Sequence, residues 1–195
     1  MHQSVTISEL VERMPKSLSD KWIQIQGIKT SGEIRPTDVV PVIAPNSHGE
    51  RAVYPMKWGF VEKTVLFNAR VESASKKPTF SEGWKSHRCI IPASYYFEWE
   101  HLIGRDGAKK TGAKYMLQPN DSEMTYMCGL YRIEDNLPYF VILTREPGKE
   151  IAFIHDRMPV ILPEEKIDAW INPEAKPEDV MGDVITDVYY EKVVG

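Results

Sequence analysis

The chain has 195 residues, 42% of them apolar, and a net charge of −4, which is enough apolar content for a packed core and excludes wholesale disorder. No run approaches the ~18 apolar residues of a membrane-spanning helix, and the opening Met1-His2-Gln3-Ser4 lacks the basic start and apolar stretch of a secretory leader. These features predict one domain over residues 1–195 in a soluble, cytoplasmic protein with no membrane partner.

In chain order, Ile7, Leu10, Val11 and Met14 recur at helical spacing and predict a short amphipathic helix over Ser4–Met14. Strands are then expected at Trp22–Gln26, Val39–Ile43 and Ala52–Trp58, from alternation or β-branched content. Thr79–Ser86 reads as a helix. Arg88–Ile91, Ser94–Trp99, Lys114–Gln118, Met124–Tyr131, Tyr139–Thr144 and Met158–Leu162 read as further strands. Lys149–Ile154 reads as a short turn and Glu164–Ile171 as a helix entered at Pro163, with acidic residues at its positive end. The polar, Gly- and Lys-rich His101–Gly112 reads as a mobile surface loop. Strand following strand through short Pro- and Gly-marked turns predicts an α+β fold: a mostly antiparallel curved sheet or partial β-barrel with peripheral helices.

Two cysteines, Cys89 and Cys128, sit in apolar runs and read as small buried hydrophobes. The five histidines fall in no HExxH or CxxC-linked pattern, so neither a metal nor another cofactor is expected. Charge is sorted along the chain. Residues 51–110 carry 11 Lys and Arg against 6 Asp and Glu, whereas residues 161–195 carry 3 against 9. A basic middle of this kind is compatible with an anion-binding face.

Four segments carry polar or aromatic groups that a strand core does not require. Trp58-Gly59-Phe60 offers two rings about a glycine, suited to stacking on bases. Asn68-Ala69-Arg70, if extended, presents an amide and a guanidinium on one side. Glu98 lies in the aromatic run Tyr95-Tyr96-Phe97-Glu98-Trp99, where desolvation raises a carboxyl pKa towards the range useful for proton transfer. His155, with Asp156 and Arg157, stands at the entrance of an apolar strand. Glu98 and His155 are predicted to share one pocket.

In this order, Trp-Gly-Phe, Asn-Ala-Arg, Arg-Cys-Ile-Ile-Pro-Ala through Glu-Trp, and Ile-His-Asp-Arg-Met-Pro-Val resemble the SOS response-associated peptidase family of abasic-site processing proteins. Gly32–Asp38 and Cys128–Tyr131 resemble family segments too, so the likeness runs from about residue 30 to 171. The resemblance implies binding of single-stranded DNA that holds an abasic site, and reaction with the aldehyde of its ring-opened sugar. By similarity Asn68 positions the sugar, Arg70 grips phosphate, and Glu98 and His155 move protons. Trp58, Phe60 and Arg157 complete the expected DNA-binding set. The partner is single-stranded DNA alone, and a monomer is favoured.

Family members react through an N-terminal cysteine that closes a thiazolidine on the aldehyde. The family pattern opens Met-Cys-Gly-Arg, whereas this chain opens Met1-His2-Gln3-Ser4 with no cysteine before Cys89. The expectation for the chain as written is therefore at most a reversible imine at an α-amine, which is partly neutral at pH 7. The alternatives are a non-catalytic single-strand binding module of the same fold and a cysteine peptidase with Cys89 as nucleophile.

Overall fold

The computed structural model describes residues 7–104 and 107–194; the expected start of the first helix at Ser4 lies outside them. Helices α1 (Ile7–Glu12) and α2 (Lys16–Ile25) come first. β1 (Val39–Pro45) and β2 (Arg51–Trp58) then pair antiparallel along their whole lengths. Three short strands follow, β3 (Phe60–Val61), β4 (Val65–Leu66) and β5 (Asn68–Arg70), and then helices α3 (Val71–Ala74) and α4 (Pro78–Ser86). The long strands are β6 (Arg88–Ala93), β7 (Tyr96–Ile103), β8 (Lys109–Pro119), β9 (Thr125–Glu134) and β10 (Leu137–Arg145). β11 (Met158–Pro159), β12 (Ile161–Leu162), α5 (Ile167–Ile171) and β13 (Val188–Lys192) complete the order.

Strand neighbours run β11–β10–β2–β1–β6–β9–β12, and β9 also pairs with β10. Strands β1, β2, β10, β9 and β6 therefore close into a five-stranded partial barrel, and the α+β expectation stands. Closure is uneven. The β1–β6 seam consists of the single pair Ile43–Ile90, and the parallel β2–β10 seam of Lys57–Tyr139 and Trp58–Phe140. A separate antiparallel sheet, β13–β8–β7, stands beside the barrel.

Both faces of the barrel strands are buried, which is why they read as nearly unbroken apolar runs rather than clean alternation. Ile43, Ile90, Cys128, Leu130, Val141 and Leu143 pack with Phe80 and Trp84 of α4 and Trp170 of α5. The intervening residues, among them Val42, Cys89, Met127, Phe140 and Ile142, pack with Tyr96, Leu117 and Val188 of the second sheet. On the helix side the Arg88 guanidinium is wholly buried, and it donates to the carbonyls of Trp84, Lys85, Trp170, Asn172 and Ala175. One cation thus satisfies the carbonyl ends of α4, α5 and the following turn, which are otherwise orphaned.

Two expectations are corrected. Trp22–Gln26 is the end of helix α2, not a strand: Trp22 faces in while Ile23 and Ile25 face solvent. Five residues of alternation cannot separate the two periods. His101–Gly112 is not a loop, because β7 continues to Ile103 and β8 begins at Lys109, with Gly104 N–H donating to Ala108 O at 2.8 Å. This end of the hairpin is exposed, so it lacks the apolar alternation that marks a half-buried strand.

Candidate functional site

The β7–β8 pairing places Glu98 directly opposite Tyr115, on a strand that Tyr96 anchors in the core. His155 follows the 3₁₀ turn Lys149–Ile151, and that loop is fastened to β7 by His101 N–H donating to Ile154 O at 2.8 Å. These two constraints bring Glu98 Oε2 to 4.0 Å from His155 Nε2, with the side chains 27% and 22% exposed. The structure thus brings the two side chains together, as residues sharing one pocket require.

The protonation states follow from the surroundings. Burial is the main cause that pushes Glu98 up to about 7; the Asp156 charge adds to it, and the Trp99 backbone N–H opposes it. Among the described residues no side chain donates a hydrogen bond to the Glu98 carboxyl. Burial holds His155 below the usual imidazole range, helped by His101, whose ring centroid lies 4.0 Å away. Arg157 N–H donates to His155 Nδ1 at 2.9 Å. In the neutral ring Nδ1 is therefore the acceptor, and the proton sits on Nε2, facing Glu98. Arg157 O, 3.1 Å from the same Nδ1, becomes an acceptor only when the ring is protonated.

β5 runs parallel to β10, with Asn68 beside Ile142 and Arg70 beside Thr144. Ala69 is buried on the helix side, so Asn68 and Arg70 project from the opposite side, as the extended reading requires. Both side chains are exposed and make no hydrogen bond or ion pair among the described residues, although the Arg70 charge helps to hold the Glu72 carboxyl low. On the other side of β10, Thr144 pairs with Pro159 of β11. Arg70, Thr144 and Pro159 thus lie abreast across two strand spacings, roughly 10 Å, at the barrel end where His155 enters.

Three of the expected DNA-contacting groups have other roles. Phe60 is 1% exposed, with Phe80 beside its ring and the Arg132 guanidinium 4.3 Å above it; it is a core residue, and the expectation that it stacks on bases is corrected. Trp58 is half-buried, stacked on Phe140 at 6.2 Å, and its Nε1–H donates to Phe67 O at 2.9 Å. The glycine between them serves the backbone. Gly59 has φ +118°, and a Cβ there would meet Val65 Cγ1 at 2.7 Å. Arg157 is 16% exposed and grips Glu72 with both Nη atoms, at 2.9 and 2.7 Å, while Nη2 also donates to Thr144 O at 2.6 Å. Its fork is committed to joining the His155 loop to α3, immediately after Arg70, rather than free for phosphate.

Cys89 and Cys128 are fully buried, and burial pushes both thiols well up. An inaccessible thiol held protonated is no nucleophile, which removes the structural basis for a Cys89 peptidase. The basic middle also overstates the free positive charge, since Arg88 is interior and Arg51 pairs with Asp168 and Glu164. His101, His155 and Asp156 bring three donor atoms within 4.8 Å of one another. His155 Nδ1 is already occupied by Arg157 N–H, which leaves Nε2 as its free ligand atom. Sequence reasoning missed His101 because the hairpin read as a loop, and it missed Tyr115 and Phe153 because neither belongs to a short motif. Away from this site, Leu10, Arg13, Arg51, Tyr126 and Glu164 line a cavity of about 260 Å³ on the helix side.

Comparison with known proteins gives a consistent picture. The chain is 33% identical over 139 residues to the abasic site processing protein YobE of Bacillus subtilis, covering 65% of this chain and 61% of that one. It is 29% identical over 128 residues to the abasic site processing protein YedK of Escherichia coli, covering 62% and 55%. The chain therefore spans about three fifths of the length of the Bacillus relatives it matches. A crystal structure of a Bacteroides thetaiotaomicron protein superposes with a TM-score of 0.71 at 20% identity, over 99% of this chain and 90% of that one, and so shares the fold. The model of the SOS response associated peptidase (SRAP) family matches residues 2–193, and the chain belongs to that family.

Proposed function

We propose that this protein binds single-stranded DNA at an abasic site and condenses an amine with the aldehyde of the ring-opened sugar. The observation that carries the reading is the Glu98–His155 pair, with 4.0 Å between Oε2 and Nε2, at the barrel end where Asn68 and Arg70 stand exposed and unpartnered. Its relatives' designation as abasic site processing proteins supports the same chemistry.

Attack of a neutral amine on the aldehyde carbon forms a C–N bond and a carbinolamine. Loss of its hydroxyl as water needs a proton, and return to the resting state needs a base. A carboxyl with a pKa of about 7 is available in both forms at neutral pH, so Glu98 is suited to give the proton and take it back. His155, neutral with Nε2–H on the Glu98 side, is suited to hydrogen-bond a sugar oxygen held between them without competing as a cation. Asn68 is assigned to sugar hydroxyls and Arg70 to an adjacent phosphate, where an unpaired guanidinium is most effective. The attacking amine is assigned to the N-terminal segment by family resemblance, and residues 1–6 lie outside the described residues.

The test is a denaturing gel of the protein with labelled single-stranded DNA carrying one abasic site, with and without borohydride. A shifted band, or a cleaved strand, that is lost in Glu98→Gln supports the reading. A band that appears only with borohydride identifies an imine, and one that persists without it identifies a ring closed by a neighbouring thiol. Binding without either product would favour a non-catalytic module, and absence of binding would overturn both.

A further inference from the structure

We propose that Tyr115, Phe153 and Tyr190 form a stacking subsite for the nucleobase next to the abasic sugar, which makes β13 part of the DNA-binding surface. The inference rests on the reading of Glu98 and His155 as the reacting pair. The three rings form one cluster, with centroids 5.8 Å apart for Tyr115–Phe153, 5.4 Å for Phe153–Tyr190 and 6.0 Å for Tyr115–Tyr190, all edge-on. Two of them are tied directly to the pair. Tyr115 is the residue opposite Glu98 across β7 and β8, and directly opposed residues share a face of the sheet. Phe153 lies two positions before His155 on the same loop.

Tyr115 alone is explained by packing on the core. The other two are not: Phe153 is 48% and Tyr190 39% exposed, so a contiguous aromatic surface stands in water beside an acid–base pair. Edge-to-face contacts hold the rings in place, so a base settling on them pays little to order them. Positive charge lies alongside. Lys192 is the β13 partner of Tyr115, and Lys109 is near enough to His155 to lower its proton affinity. Rings for bases with cations for phosphates are what a sequence-tolerant single-strand track requires.

The occupant follows from the lesion. An abasic nucleotide leaves each neighbouring base with one unstacked face. An aromatic cluster at the edge of the sugar pocket replaces the lost stacking, and it does so only for DNA that lacks the intervening base.

The test uses single-stranded DNA with a tetrahydrofuran abasic analogue, which binds without reacting, and 2-aminopurine placed on one side of it or the other. Binding should quench the fluorophore at one of the two positions. Phe153→Ala and Tyr190→Ala should each abolish that quench and weaken binding about 5- to 100-fold, the range for one stacked base. Phe153→Trp should retain both signals, which separates loss of the ring from disturbance of the loop. Wild-type protein that binds and quenches, with both alanine variants indistinguishable from it, would overturn the subsite while leaving the reaction intact. Wild-type protein that does not bind the analogue strand would overturn both.

Discussion

The two sides of the barrel treat their polar groups in opposite ways. On the helix side, Arg88 reaches carbonyls from α4, α5 and residues 172–175, Trp84 Nε1–H donates to Glu178 at 3.1 Å, and Trp170 Nε1–H donates to Cys89 O at 2.9 Å. On the other side, among the described residues, Glu98 has no side-chain donor, Tyr96 Oη and Arg157 Nε are buried without partners, and Asn68 and Arg70 point into solvent. The network around Arg88 pairs its buried polar groups because an unmade buried hydrogen bond is costly, whereas Trp22 Nε1 of α2 is buried without a partner. Glu98, Asn68 and Arg70, short of partners and open to solvent, are the groups with something else to bind.

The comparison is broken most severely at Arg88. Arg88→Met should remove every donor to five carbonyls at once and cost about 3–5 kcal/mol, lowering the unfolding midpoint by roughly 10 °C in a calorimetric scan. A loss below ~1 kcal/mol would mean that water replaces the guanidinium and that the helix side is not the closed network described.

Glu98→Gln should act in the opposite sense on stability. Its carboxyl titrates higher in the folded state than the ordinary glutamate value of 4.5, so it favours folding below that value and loses this contribution as pH rises through about 7. Wild-type stability should therefore fall between pH 5 and pH 8 by up to roughly 3 kcal/mol, and the glutamine variant should lack that fall in parallel urea titrations. The same variant should slow reaction with abasic DNA by about 100-fold or more while keeping most of its affinity.

Cutting the fork between Arg157 and Glu72 tests whether the polar side carries any architecture. Glu72→Gln should cost about 1 kcal/mol in global stability but release the His155 loop from α3. Faster amide exchange at residues 155–157, with little change in β6 and β9, would confirm that the clamp is local. The smallest effect belongs to Arg70→Ala. Stability should be unchanged, single-strand affinity should drop a few-fold, and the slope of log affinity against log salt should shallow by ~0.7–1.

Much of this was legible in advance. The long strands β1, β6, β9 and β10 read correctly because burial on both faces forces apolar residues into them, and β2 through its alternation; Glu98 stood out because charge among aromatics is expensive, and His155 because a polar triplet enters an apolar strand. Illegible features share a cause: their reason lies far off in the chain. Phe60 looked like a platform until Arg132 and Phe80 were found over its ring. Arg157 looked like a phosphate ligand until Glu72, 85 positions away, took both its Nη atoms. Strand β13 is a strand because β8 offers it an edge, and Tyr189-Tyr190-Glu191-Lys192 carries no alternation of its own.

The single ladder pair between β1 and β6 has a mechanical meaning. A barrel joined so sparsely along one line, and by two pairs along another, consists of two densely laddered leaves, β1–β2 and β6–β9–β10, held to each other by side-chain packing and few backbone hydrogen bonds. One of those lines, β2 against β10, ends where β5 takes over pairing with β10 and delivers Asn68 and Arg70. Asn68 and Arg70 therefore stand beside one of the two sparsely laddered seams of the barrel, and dense and sparse pairing coexist in one sheet.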